Sequence, residues 1–179
     1  MVVSGPPGAG KTTLAVPLAR GLGLPLLAKD TVKEALMDAL GPVTLERSRE
    51  LGRGAFAVLW ALAAESLDVG CGAVVEANFS RESLERELPA LARRGQAVVI
   101  HCQAPRAVLL ERVSERSASR HPGHHDAARL ADPDSFLRTD MLPPRLPLPI
   151  LFVDTTGTPV PDAVLGWARA SLRAGLRDG

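Results

Sequence analysis

The stretch Gly5-Pro6-Pro7-Gly8-Ala9-Gly10-Lys11-Thr12 is where residue type and spacing first imply chemistry. It fits the pattern of a glycine, four residues, then Gly-Lys-Ser/Thr, which wraps backbone N–H groups around a polyphosphate. Glycines let the chain turn tightly and come close to a ligand with no Cβ in the way. The following helix adds the positive end of its dipole. Gly5, Pro7, Gly8, Ala9, Gly10, Lys11, Thr12 and Thr13 are therefore the expected nucleotide-binding residues. In this pattern Lys11 reaches the β- and γ-phosphates and the Thr12 hydroxyl ligates Mg²⁺. An apolar run, Met1-Val2-Val3, precedes the loop, and Leu14, Val16, Leu18 and Ala19 follow it, so the context is strand, loop, helix.

Three further groups fall at the ends of expected strands, the edge where open α/β sheets bind ligands. Asp30 follows Leu24–Ala28 and is the candidate general base for an acceptor hydroxyl. Its alternative role, helix capping, is assigned to Thr31, which has capping-box spacing to Glu34. Lys33, one turn on, is either an acceptor contact or a solvated helix lysine. Glu76 closes the apolar run Ala73–Ala77, where a charge needs a partner. Mg²⁺, reached directly or through water, or the acceptor would supply one, as would a structural ion pair. Asn78 and Phe79 follow it and could line the acceptor pocket, with Phe79 equally placed to join the core. Thr155 and Thr156 leave the last strand, Ile150–Asp154.

Arg112, Arg116 and Arg120 recur every four residues, on one face if the helix from Arg106 continues that far. From a lid they could neutralise charge on a transferring phosphoryl group; paired with Glu111 and Glu115 they would form a solvated face. His121, His124, His125 and Asp126 could ligate a metal, but a Pro/Gly loop gives no rigid frame, and a pocket-facing lid loop is the preferred reading. His101 ends a buried strand and is expected to be structural.

These groups must be positioned by alternating strands and helices. The expected helices run from about Gly10 to Leu22, Thr31 to Leu40, Leu45 to Val69, Arg81 to Arg94, Arg106 to Ser117 and Pro161 to Leu176. Pro17 is expected to kink the first. The strands are continuously apolar, which predicts a parallel sheet covered on both faces. The fold class is α/β: a three-layer P-loop arrangement of about five parallel strands with a lid at roughly 113–149, all in one domain, 1–179.

Composition narrows the partners. The chain has 179 residues, a net charge of +1, three per cent aromatic residues and no tyrosine. That argues against a basic, aromatic-studded nucleic-acid groove and against an obligatory anionic surface. Cys71 and Cys102 share no metal-ligand spacing and are expected as buried free thiols. With no leader and no apolar run long enough to span a bilayer, the expectation is a cytoplasmic monomer or homodimer.

Taken together, Gly5–Thr13, Lys29-Asp30, Val74-Val75-Glu76-Ala77-Asn78, the Arg112/Arg116 helix and Val153-Asp154-Thr155-Thr156 resemble the small P-loop kinases. That group includes the kinase domain of polynucleotide kinase, gluconate kinase, chloramphenicol phosphotransferase and zeta-type toxins. The resemblance implies ATP or another NTP with Mg²⁺, Asp30 as acceptor-binding base, Arg116 or Arg112 as lid arginine, and Thr155-Thr156 beside the adenine. Relatives often carry aspartate where this chain has Glu76. The segment Ala118–Pro149, where acceptor specificity would reside, matches no particular subfamily. The expected activity is phosphoryl transfer from ATP to a hydroxyl of a metabolite, nucleoside or antibiotic. The alternatives are a 5′-hydroxyl nucleic-acid kinase and a P-loop ATPase.

Overall fold

A computed structural model of the chain describes residues 1–126, 130–132, 141–157 and 161–174. The elements in order are β1 (Val2–Ser4), α1 (Lys11–Leu22), β2 (Leu26–Ala28), α2 (Lys29–Leu40), α3 (Leu45–Asp68), β3 (Val74–Glu76), α4 (Arg81–Ala92), β4 (Val99–Gln103), α5 (Arg106–Ser117), a 3₁₀ turn (Pro122–His124), β5 (Ile150–Asp154) and α6 (Pro161–Ala174). The strands form one parallel sheet in the order β2-β3-β1-β4-β5. It is the α/β P-loop arrangement that the alternation of apolar runs predicts.

Alternate residues of each strand feed opposite layers, which is why the runs are continuously apolar. Val2, Val75 and Val99 pack with Leu59, Trp60, Phe79, Leu84 and Leu88 on one face. Val3, Val74 and Ile100 pack with Leu14, Leu18, Leu109 and Val164 on the other. A short central strand such as β3 is thereby buried on both sides, and its C-terminal residue is held in place by the packing beneath it.

Local expectations fare unevenly. Thr44 and Ser80 cap α3 and α4, accepting from the N–H groups of Arg47 and Ser83 at 3.2 and 3.1 Å. Helix α1 continues through Pro17 as one element. Helix α2, however, begins at Lys29 directly from β2, with Ala28 at the N-cap and no side-chain cap. The Thr31–Glu34 capping box does not form, because the helix already includes Lys29 and Asp30 and Thr31 lies inside its first turn; the Glu34 carboxylate meets the His124 Nε2 at 2.7 Å. Cys102 is buried as expected, but Cys71 is exposed, because the turn that carries it lies outside both core layers. Leu176 and the parts 127–129 and 133–140 of the expected lid lie outside the described residues. Among the described residues, no helix is long and apolar enough to cross a membrane.

Candidate active site

The loop between β1 and α1 is shaped by what presses on it. Gly8 has φ +81°, and a Cβ there would sit 2.5 Å from the Leu109 carbonyl oxygen. Helix α1 starts from Gly10, which is left-handed and offers no capping side chain, so the first-turn N–H groups face outward for a ligand. The Lys11 ammonium folds back and donates to the Pro6 carbonyl at 2.9 Å. Burial pushes its pKa down to about 8, against the pull of Glu76 and Asp30. The Thr12 hydroxyl donates to Glu76 Oε2 at 3.1 Å.

Glu76 lies in register with Ala28 on one side and Val3 on the other. Its carboxyl is pushed up by burial, with Lys11 opposing the shift. This is the partner its apolar strand demanded: a hydroxyl and an ammonium from the phosphate loop. A hard cation takes oxygen ligands, and the Thr12 hydroxyl and Glu76 carboxylate are such a pair beside a phosphate cradle. The residues therefore fit Mg²⁺.

Asp30 stands in the first turn of α2, where a carboxylate also favours the helix dipole. Lys29 Nζ lies 3.0 Å from one of its oxygens and the Arg120 guanidinium binds the other. Burial would raise this carboxyl, but the Lys29 and Arg120 charges overcome it and hold it well below the usual carboxylate range. Arg120 is in turn anchored by Asp126, whose two oxygens both lie 3.1 Å from Nη1. Lys29 also donates to Asn78 Oδ1 at 2.9 Å, which links α2 to the residue after β3.

These groups enclose a cleft of about 610 Å³ at the C-terminal edge of the sheet, reached by Pro7, Gly8, Gly10, Lys11, Thr12, Thr13, Asp30, Glu76, Asn78, Arg116 and Arg120. Lys11, Lys29, Arg116 and Arg120 outnumber the two carboxylates among the lining residues, so the cleft suits a polyanion.

Other candidates lie elsewhere. Lys33 is only 2% exposed and points away from the cleft, donating to Ser48 Oγ at 2.7 Å. It is neither solvated nor in contact with the cleft, since Gly52 on α3 leaves room for its stem at 3.9 Å. Arg112 reaches the Gly8, Thr155 and Thr156 carbonyls at 3.4, 2.7 and 3.1 Å. Thr155 is buried and its hydroxyl donates to the Ala9 and Gln103 carbonyls at 3.2 and 3.1 Å. Arg112 and Thr155 thus tie the phosphate loop to the exit of β5, and neither they nor Thr156 line the cleft. Ala9 lies beneath the loop, fully buried. Gly5, whose Cβ would strike the Cys102 carbonyl at 2.2 Å, forms its floor.

Arg120 lies beyond the end of α5, so the three arginines do not share one helical face. The histidine loop is not turned to the cleft. His121 pairs with Asp38 at 3.1 Å, His124 with Glu34, and His125 with the Val43 carbonyl at 3.0 Å, so the loop docks on α2 and the α2–α3 turn. No group of His, Cys, Asp or Glu among the described residues is arranged to hold a metal. His101 is buried and stacks edge-on to Phe152 at 6.0 Å, in a structural position. Two residues escaped the site reading: Lys29, one of only three lysines in the chain and adjacent to Asp30, and Asp126, whose place in the sequence suggests a metal ligand and not the anchor of Arg120.

A family model described as an AAA domain matches residues 1–137. A candidate kinase from Chloroflexus aurantiacus j-10-fl is 34% identical, with a TM-score of 0.82 over 96% of this chain and 97% of its own. A sugar kinase from Janibacter sp. HTCC2649 is 22% identical with a TM-score of 0.57, over 96% and 92% of the two chains. A gluconokinase from Sinorhizobium meliloti 1021 is 19% identical with a TM-score of 0.53, over 99% and 96%. The last two likenesses are of fold. No curated protein matches the chain.

Proposed function

We propose that this chain, which belongs to the AAA domain family, is an ATP-dependent phosphotransferase acting on a hydroxyl of a small molecule, with residues 1–179 forming one catalytic domain. The observation that carries the reading is a single cleft in which Lys11, Thr12 and Glu76 face a carboxylate, Asp30, under two arginines. A phosphate cradle alone would serve any nucleotide-binding protein. A carboxylate across the cleft is what a hydroxyl acceptor requires.

The triphosphate lies along the Gly8–Thr13 backbone, and Lys11 swings from the Pro6 carbonyl to its β- and γ-oxygens. Mg²⁺, held by Thr12 and by Glu76 directly or through water, would draw charge from those oxygens. The acceptor oxygen bonds to the γ-phosphorus as the bond from that phosphorus to the β,γ-bridging oxygen breaks, releasing ADP and a phosphate monoester. Arg116 and Arg120 face the negative charge that spreads over the transferring group. The hydroxyl proton passes to Asp30. With Lys29 still beside it after Arg120 leaves, the carboxylate remains a weak base, so its main contribution is to aim the hydroxyl, and it takes the proton late. That suits a loose phosphoryl-transfer transition state, which rewards alignment more than deprotonation. Arg120 must leave Asp30 for the acceptor to reach it, so the stretch that carries Arg120 moves as the acceptor binds.

The test is a panel of hydroxylated metabolites, nucleosides and antibiotics incubated with the protein, ATP and Mg²⁺. The expected result is a mass gain of one phosphoryl group on a subset of them, with ATP consumed only in their presence. ATP consumption at the same rate without any acceptor would overturn the reading in favour of an ATPase. Label transferred to an oligonucleotide 5′ end, and to no small molecule, would identify a nucleic-acid kinase.

A further inference from the structure

Beside the phosphate cleft lies a second, larger concavity that the transfer chemistry above does not use. It measures about 1030 Å³ and runs between α3 and α4, with Phe56, Trp60 and Met141 among its walls. It adjoins the cleft, since Asn78 lines both. Lys29, which lines the cleft, sits 5.4 Å over the ring of Phe56, which lines the groove. We propose that this groove holds the body of the acceptor, and that the acceptor is an uncharged alcohol built on an aromatic or alicyclic ring that also carries a carbonyl or ether oxygen. The proposal rests on the phosphotransferase reading and specifies the substrate class for that same site.

Three observations carry it. The walls are aromatic: Trp60 and Phe56 pack tilted against Phe79, with ring centroids 4.5 and 5.4 Å apart, so the aromatic surface is backed by the core. Such surfaces bind ring faces. Second, the charged rim is balanced, with Arg53 and Arg86 set against Glu82 and Glu87. A sugar acid or a phosphorylated metabolite would meet no surplus of positive charge there. Third, the Trp60 indole N–H is buried and meets no acceptor among the described residues. A buried donor left unpaired is costly, and a ligand oxygen entering along the groove would satisfy it. Asn78 at the junction already accepts from Lys29, which fixes the amide where the ring system must turn toward Asp30.

The test uses Trp167→Phe, which leaves Trp60 as the only tryptophan, since the chain has two. Its emission is followed while 4-(hydroxymethyl)benzamide, cyclohexylmethanol, sorbitol or gluconate is added, and each compound is also incubated with ATP and Mg²⁺ and weighed for phosphoryl gain. The ring alcohols are expected to shift the emission saturably, the benzamide at lower concentration, and the acyclic compounds to leave it unmoved. Ala57→Leu, at an exposed groove position outside the core, is expected to weaken ring-alcohol binding about tenfold without changing nucleotide binding. Sorbitol or gluconate gaining phosphate while ring alcohols leave Trp60 unmoved would overturn the groove assignment and keep the phosphotransferase. Ring alcohols bound through Trp60, with no phosphoryl gain on any compound, would keep the groove and overturn the phosphotransferase. Ring-alcohol binding indifferent to Ala57→Leu would also overturn the groove.

Discussion

Asp30 carries the most exposed claim at the scale of the residue. Asp30→Asn keeps the shape and removes the charge that, in the proposed reaction, aims the acceptor. Transfer is expected to fall by roughly 10²–10⁴-fold while ATP affinity stays within about threefold, as separate binding and turnover measurements would show. Lys33 offers the opposite check. It is buried against Ser48, so Lys33→Ala is expected to lower unfolding stability by about 1–3 kcal/mol and leave the acceptor KM unchanged. A raised KM with unaltered stability would return it to the acceptor. Lys11 gives a proton-linked prediction. Its pKa near 8 in the free protein must rise when phosphates arrive, so ATP binding at pH 8.5 should take up a proton. Calorimetry in buffers of different ionisation enthalpy reads that uptake, and Lys11→Ala should abolish it. The phosphate loop was legible because its residue types have no substitute chemistry. Lys33 was not, because whether a helix lysine faces a cleft or a neighbouring helix depends on Ser48 and Gly52, distant positions that only the fold brings beneath it.

Between elements, the notable link is Arg112, which joins α5, the phosphate loop and the exit of β5 through three carbonyls. Arg112→Ala should leave the helices and sheet intact but let the loop drift, weakening nucleotide binding about tenfold, since misplaced donors lose most of their worth. An unchanged affinity would show that Thr155 holds the loop alone. The strands were readable because burial on both faces leaves a continuous apolar run. The start of α2 was misread because the local signal, Thr31 with Glu34, was overridden by a helix that begins directly from β2 at Lys29, and Glu34 is engaged instead by His124 from a segment ninety residues away in sequence. The histidine loop illustrates the same limit: each ring found a partner on α2 or the turn after it, and nothing in the loop itself announces that docking.

For the molecule as a whole, acid sensitivity follows from two buried imidazoles. Burial pushes His101 and His124 down to about 4. His124 faces Arg120 and Lys33, which oppose its protonation, and Asp30 and Glu34, which favour it. Between pH 4 and 6.5 the unfolded chain binds protons at these sites that the native protein does not, so stability should fall as pH drops through that window. Thermal unfolding across the window should show it, at roughly 2–4 °C for each kcal/mol withdrawn, and His124→Gln should flatten part of the slope. The Arg120–Asp30 pair has a wider consequence. An enzyme that holds ATP beside an idle carboxylate invites water to take the alcohol's place. On the proposed reading, Arg120 occupies that carboxylate until a genuine guest evicts it, so wasteful turnover is discouraged by the same contact that the productive reaction must break.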